Sequence, residues 1–367
     1  MTTYIVRRIV QGILVLVASS FVVYSLLIFT PGGPWDQVNS RSGEGGRPIP
    51  ARVLAQLIKT YKLDKPYPVN YLVWLFDPED TTEIKGLDQV VPKGIDLTVG
   101  NWHIKGSGIL TGDFGRSVSI AKGLYVRDMI GSRIGYTLLL TCTALVLSLL
   151  IALVIGIISA IKQYSKLDYA VTAFSFVGLS MPAFWLGLML IIFLSVLPKL
   201  WHTQYHLEWL PFLPSGYISD TGQEGNVLNR TYHLVLPVAV LSFLNFAAFS
   251  RFIRSSMLEV LRQDYVRTAW AKGLSQRVVI LRHALRNAVL PMITIVTLAL
   301  PGLIAGAIVT ETVFSYAGMG RLFANAVFQL DLPVLMCFLM LTTLAIVVCN
   351  TLADVLFAAA DPRIRLT

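Results

Sequence analysis

Residues Asp264–Pro291 read DYVRTAWAKGLSQRVVILRHALRNAVLP, a charged stretch with one glycine in a part of the chain that is otherwise mostly apolar. The windows on either side, Thr231–Ser250 and Asn287–Thr310, hold no Asp, Glu, Lys or Arg. About 20 helical residues cross a hydrocarbon core roughly 30 Å thick, so each flank is long enough to span a bilayer. Four more uncharged windows follow outward in both directions, at Ile9–Trp35, Gly135–Ile161, Tyr169–Pro198 and Leu332–Ala353. The bulk composition agrees. Of 367 residues 55% are hydrophobic and 14% charged, where soluble domains carry roughly 25% charge, and the mean hydropathy is +0.66. The expectation is an all-α integral membrane protein with six transmembrane helices.

Orientation follows from Lys and Arg in the short connections. With the N-terminus inside, the inner segments are Met1–Arg8, Lys162–Asp168, Arg251–Arg286 and the tail from Asp361. They hold 14 of the 30 basic residues against four acidic ones, whereas Lys199–Arg230 and Glu311–Asp331 hold three basic and five acidic. Both termini are thus expected in the cytoplasm. The net charge of +9 reads as positive-inside bias, and nucleic acid is not needed to explain it. The first window follows Arg7-Arg8, but its apolar run exceeds a signal-peptide core and ends in Pro31-Gly32-Gly33-Pro34, so an uncleaved span is expected. Cys142, Cys337 and Cys349 fall inside predicted spans, which reads as small core residues and suggests neither a disulfide framework nor a zinc cluster.

Between the first two spans, residues 31–133 are expected outside as a folded insertion of short helices and a hairpin. Pro50 can open a helix to about Lys62, with a stripe of Val53, Leu54, Leu57, Ile58 and Tyr61. A second short helix uses Val69, Leu72, Val73 and Phe76. In IDLTVGNWHIKG, alternation on both sides of Gly100-Asn101 predicts a hairpin. Docking of an outer partner and simple capping of the span ends both explain this region. The glycine-rich Gly106–Ser117 lacks the G-x-x-x-x-G-K-[ST] pattern and a strand-helix context, so it is not read as a phosphate loop. His202, His206 and Glu208 have a spacing that can hold a metal on a helix, yet the interleaved Trp201, Tyr205 and Trp209 favour interfacial packing; no metal site is expected.

Inside the spans, Pro182 and Pro301 can interrupt helices. Gly302/Gly306 and Gly156/Ala160 are small-x-x-x-small pairs suited to close helix packing. Ser180, Pro182, Ser242, Asn245, Thr294, Thr297 and Pro301 are candidates for lining a pathway; interhelical hydrogen bonds account equally for the polar members. Glu311 and Asp354 lie at span ends, where snorkelling or pairing accommodates a charge.

In the opening stretch itself, Met257, Leu261, Tyr265 and Ala269 recur every four residues and predict an amphipathic helix. Lys272-Gly273 reads as its stop. Ser275 is a suitable N-cap for a second helix whose Val278, Leu281, Leu285, Ala288 and Val289 share one arc. A helix-turn-helix on DNA is disfavoured, because short tethers to two spans hold the segment against the bilayer. Lying flat on anionic lipid and docking a soluble partner both fit the pattern.

YVRTAWAKG…LRHALRNAVLP resembles the cytoplasmic EAA loop of binding-protein-dependent ABC importer permeases, with Ala269 and Gly273 matching the signature alanine and glycine. RRIVQGILVLVASSFVVYSLLIFTPGGP, YKLDKPYPVNYLVWL, GDFGRS, GLSMPAFWLG, ETVFSYAGMGRL and ADVLFAAADPRIRL follow the order seen in the oligopeptide and dipeptide branch. Trp270, Gly135 and the long Phe76–Leu110 connection depart from that branch's pattern. The resemblance implies a type I ABC importer permease fold, with cytoplasmic N-terminus and first helix at 1–30, an insertion at 31–133, a transmembrane core at 134–358 containing a coupling loop at 255–290, and a tail at 359–367. It implies that Asp264, Tyr265, Arg267, Ala269, Lys272, Gly273, Arg277, Arg282, His283 and Arg286 meet an ATPase. No Walker motif occurs in the chain, so hydrolysis is not expected here. The chain is expected to be non-catalytic and to bind no cofactor of its own. ATP and Mg would belong to two cytoplasmic ATPase subunits. The other implied partners are a second homologous permease, an extracytoplasmic substrate-binding protein, membrane lipid and a peptide, in the cytoplasmic (inner) membrane of a bacterium or archaeon. Relatives of this kind also carry nickel complexes, glutathione or oligosaccharides. A secondary transporter would usually show more spans, an internal repeat and paired intramembrane charges, and an enzyme would show a nucleophile-base set; the sequence offers neither.

Overall fold

The computed structural model describes residues 2–30, 58, 63, 66–76, 95–99, 102–106, 114–206, 209 and 211–360. The helix expected from Pro50 to Lys62, the Gly100-Asn101 turn, most of Gly106–Ser117, Glu208 and the tail from Asp361 lie outside them. Six of the described helices are long and apolar enough to cross a membrane, within Arg7–Leu26, Val126–Ile161, Ala183–Gln204, Val227–Leu261, Leu290–Val313 and Leu332–Leu352. The chain divides into two compact units, Thr2–Ser132 with Phe323–Leu344, and Arg133–Leu322 with Ala345–Thr367.

The first unit contains α1 (Thr2–Phe29), α2 (Val69–Phe76) and an antiparallel hairpin of β1 (Ile95–Val99) and β2 (Trp102–Gly106), in which Val99 pairs with Trp102. α2 buries Tyr71 and Leu75 against Tyr24 and Ile28 of α1. Leu72 of the expected stripe packs against the same cluster. The Tyr71 hydroxyl lies 2.7 Å from Ser20 Oγ, so an aromatic ring that can also satisfy a polar group on α1 sets the contact. Buried Asp331 accepts from Ser119 N at 3.0 Å and Ile120 N at 3.1 Å, and from the Ser117 hydroxyl, tying the 117–120 turn down.

The second unit is built on α3 (Val126–Ile161), α4 (Lys166–Ser180), α5 (Ala183–Ile191), α6 (Leu197–Gln204) and α7 (Val227–Leu261). The window at Tyr169–Pro198 is not one helix. Met181 (φ −88°, ψ 123°) and Pro182 (φ −62°, ψ 136°) are extended and separate α4 from α5, since proline supplies no N–H and disfavours a helical residue before it. The crossing helix therefore begins at Ala183 and reaches α6 through a π-helical stretch, Ile192–Val196.

After α7 come α8 (Asp264–Ala271), α9 (Gln276–Val278), a π-helical turn at Val279–Ala284, α10 (Leu285–Ala288), α11 (Leu290–Ala305) and α12 (Ile308–Val313); α13 (Met319–Phe328) and α14 (Leu332–Ala360) complete the described chain. Gly156 does serve helix packing: a β-carbon there would lie 2.9 Å from Ile253 Cγ2 and 3.0 Å from Ser250 O on α7. Of Gly302 and Gly306 only the second is in close approach within this chain, where a β-carbon would lie 3.0 Å from Gly320 N and 3.2 Å from Thr137 Cγ2 of α3. No described atom lies within 4 Å of a β-carbon at Gly302, while Gly306, at φ +82°, ends α11. Cys142 is exposed on α3, contrary to its reading as a core residue, whereas Cys337 and Cys349 are buried.

Glu311 is not at a snorkelling position. It is fully buried, accepting from Thr137 Oγ1 at 2.9 Å and from Arg321 N at 2.9 Å, so its carboxylate satisfies donors in the first turn of α13. Thr137 Oγ1 in turn accepts from Met319 N at 2.7 Å. This accounts for much of the ETVFSYAGMGRL motif as a folding device.

Candidate functional site

The basic segment forms two short helical arms at the end of α7. Arg262 stays helical but Gln263 is extended (φ −73°, ψ 147°), so α8 starts afresh rather than continuing α7. The restart changes which face is inside. Val266 and Ala269 are buried and Leu261 packs against their cluster, while Tyr265 is 42% exposed, so Val266 takes the inner place expected for Tyr265. Asp264 sits in the first turn of α8, the favourable end of the dipole for an acid.

Gly273 stops α8. Its φ is +74°, its N–H bonds Trp270 O at 2.9 Å, and nothing lies within 4 Å of a β-carbon placed there. The requirement for glycine is therefore the left-handed backbone, not crowding. Ser275 occupies the N-cap position of the second arm in extended conformation (φ −61°, ψ 149°) without a side-chain cap bond.

The second arm is not a uniform α-helix. Val279–Ala284 is π-helical, and i→i+5 bonding adds a residue to the turn and rotates the faces. The buried positions are Val279, Ile280, Ala284 and Ala288, while Val278 and Leu281, expected on the buried arc, are 38% and 59% exposed. Val266, Ala269, Val279, Ile280, Ala284 and Ala288 join one cluster with Ala152 and Ala160 of α3 and Ile253 and Met257 of α7. Both arms are thus seated on the ends of two spanning helices.

The other face is open. Asp264, Tyr265, Arg267, Lys272, Gly273, Arg277, Arg282 and Arg286 are exposed, His283 is half-buried and Ala269 is buried. Trp270 at 44% and Leu274 at 37% exposure lie among the cations. Arg267 is 3.6 Å from Asp264, an exposed pair within the same helix of little energetic consequence. Exposed aromatic and aliphatic side chains thus accompany the cations along this segment.

The sequence reading missed the ion pair behind this surface. Asp168, 2% exposed at the start of α4, receives Arg254 Nε at 2.6 Å and Nη2 at 2.7 Å from α7, Tyr164 N at 3.0 Å, and the Ser159 hydroxyl from α3. The Arg254 guanidinium holds the Asp168 carboxyl well below the usual range; burial opposes this, and Ser159 and the Tyr164 N–H add to it. Asp168 was legible only as one acid in a short basic connection, 86 residues from its partner.

The pathway candidates lie at the α4–α5 break, on α7 and on α11. Ser180 and Pro182 are exposed at the α4–α5 break, and Asn245 and Thr294 are half-buried. Ser242 is buried and donates to Ala144 O of α3 at 3.2 Å. Thr297 is buried and donates to Ile293 O in its own helix at 2.7 Å, and Pro301 is buried within α11. His202 packs edge-on against Phe212, at 5.8 Å between ring centroids, and among the described residues no group of three His, Cys, Asp or Glu side chains is placed to hold a metal.

Residues 152–366 match the family described as binding-protein-dependent transport system inner membrane component. The whole chain aligns, at 36% identity over 366 residues, with the whole of the oligopeptide transport system permease protein AppB of Bacillus subtilis (strain 168). It aligns at 33% identity over 374 residues, covering 100% of the chain and 99% of the relative, with the dipeptide transport system permease protein DppB of Escherichia coli (strain K12). Among solved structures, an inward-facing form of the MetNI methionine ABC transporter is similar, with a TM-score of 0.49 and 14% identity over 64% of this chain and 96% of that one.

Proposed function

The chain belongs to the family of binding-protein-dependent transport system inner membrane components, and from that membership we propose that it is one permease subunit of an ATP-driven importer of di- or oligopeptides. Full-length similarity to oligopeptide and dipeptide permeases supports the substrate class. The observation that carries the mechanism is the two-faced segment at 264–288, whose inner face is locked into the span ends and whose outer face is exposed, cationic and aromatic.

On this reading the segment is the seat of a cytoplasmic ATPase subunit. Two such subunits bind ATP and Mg, and their closure pushes on Asp264–Arg286. The push passes through Val266, Ala269, Ile280 and Ala284 to α3 and α7. This chain supplies no hydrolysis; it supplies half of a pathway that it shares with a homologous permease, and an outer binding protein loads the peptide. On this reading both termini lie in the cytoplasm and residues 31–133 outside, with the chain in the inner membrane of its host, in keeping with the positive-inside bias of the short connections.

Mild-detergent extraction of the tagged chain from its native host tests the assembly. Recovery of a second permease and two ATPases, with ATP hydrolysis stimulated by the peptide-loaded binding protein, is expected. A chain recovered alone, with no ATPase, would contradict it.

A further inference from the structure

The geometry points to a joint behind the coupling segment: the Asp168–Arg254 pair makes α4 move as one body with α7 and the two arms, delivering their displacement to the break at Ser180–Pro182. The inference rests on the importer reading and names the positioning residues that carry its stroke inward.

α4 lies along α7 in antiparallel sense, with three fixed points in order. Asp168 meets Arg254 through two bonds of 2.6 and 2.7 Å. Ser175 Oγ is 3.1 Å from Ser250 Oγ. At Gly178, a β-carbon would stand 2.8 Å from Ala247 Cβ, so the backbones are in close approach. The last two contacts are a hydroxyl pair and close van der Waals packing, which hold the two helices side by side. The first is bidentate, charge-assisted and directional.

Asp168 also gathers the Ser159 hydroxyl at the end of α3 and the Tyr164 N–H in the connecting turn. One buried carboxylate therefore ties three elements to the part of α7 that leads, about two helical turns later, into Gln263 and the first arm. Such a pair is a poor choice for stability alone, since desolvation offsets much of the attraction and an apolar contact of similar size does as well. What it adds is a fixed relation between the helices. At the far end of α4, Met181 and Pro182 are extended with no helical register across them, so a rigid α4 can turn there against α5, as hinge residues absorb a displacement.

The test uses the assembled complex in proteoliposomes with its binding protein and a radiolabelled peptide, reading uptake and ATP hydrolysis together. Asp168→Asn is expected to keep hydrolysis within about twofold of wild type per assembled complex while lowering peptide imported per ATP by roughly tenfold. Arg254→Lys, which keeps the charge but loses the fork, should fall between the two. Ser159→Ala, a milder change that leaves the ion pair in place, should lower the ratio less than Asp168→Asn. Uptake and hydrolysis falling in the same proportion in these variants, or tracking only the amount of complex, would make the pair a folding element and overturn the joint. A wild-type complex that shows no coupling between ATP and uptake would instead overturn the importer reading on which the joint depends.

Discussion

Gly273 shows how much one backbone angle can decide. At φ +74° with open space around it, a side chain there is penalised by conformation alone, about 1–2 kcal/mol for an ordinary L-residue and more for a β-branched one. Gly273→Val is therefore expected to misalign the two arms and cut uptake several-fold, while Gly273→Asn, which tolerates the left-handed region, retains most of it. Unchanged uptake in the valine variant would contradict the role given to the turn. Asp168 gives a second prediction at this scale. Its carboxyl is depressed in the fold, so its contribution is fully present above the ordinary aspartate value near ~3.9 and is lost only as pH falls through the lower folded value. The difference in thermal stability between wild type and Asp168→Asn should be flat from pH 5 to pH 8 on the order of 3 kcal/mol, the low end for breaking a buried pair, because Arg254 leaves 25% of its side chain exposed. It should shrink under stronger acid. A difference that changes across neutral pH would mean that another group titrates with it.

Among the elements, the two arms were legible as helices and their buried faces in part: Met257, Leu261, Ala269, Leu285, Ala288 and Val289 pack in the core cluster, while Tyr265, Val278 and Leu281 are exposed. A period of 3.6 carried from Met257 puts Tyr265 inside; the extended Gln263 resets the phase and puts Val266 there instead. In the second arm the π-helical turn at Val279–Ala284 shifts the face again. Periodicity cannot see such interruptions, because each is fixed by packing against α3 and α7. Tyr169–Pro198 differs: hydropathy joins what Met181 and Pro182 divide, but the break is a local effect of proline, and Pro182 was read as able to interrupt a helix. Gly273 and the cationic outer positions are local features and were read directly. Those cations set the element-scale prediction. Reversing Arg267 or Arg282, both exposed, should weaken ATPase association by up to about 1 kcal/mol each, roughly fivefold, with a smaller difference at high salt as screening takes over. Association insensitive to both substitution and salt would move these charges to the lipid surface.

For the whole molecule, six uncharged windows called for six crossing helices, and six of the described helices meet the requirement. Burial of Asp168 and Glu311 was not legible, since their partners lie on helices far apart in sequence: Arg254 in one case, Thr137 in the other. Both acids are placed by the fold, one beside the basic arms and one at the start of α13. In the proposed importer the spanning helices α3 and α7 carry at their ends an element that an ATPase can push. The claim that ATP drives this chain is tested most directly by reconstituting the co-purified complex in sealed vesicles, with the loaded binding protein on the side opposite the ATPases and no ion gradient. Peptide accumulation that requires ATP and stops with a non-hydrolysable analogue is the predicted result. Uptake by the chain alone, driven by an imposed ion gradient and indifferent to ATP, would contradict the account.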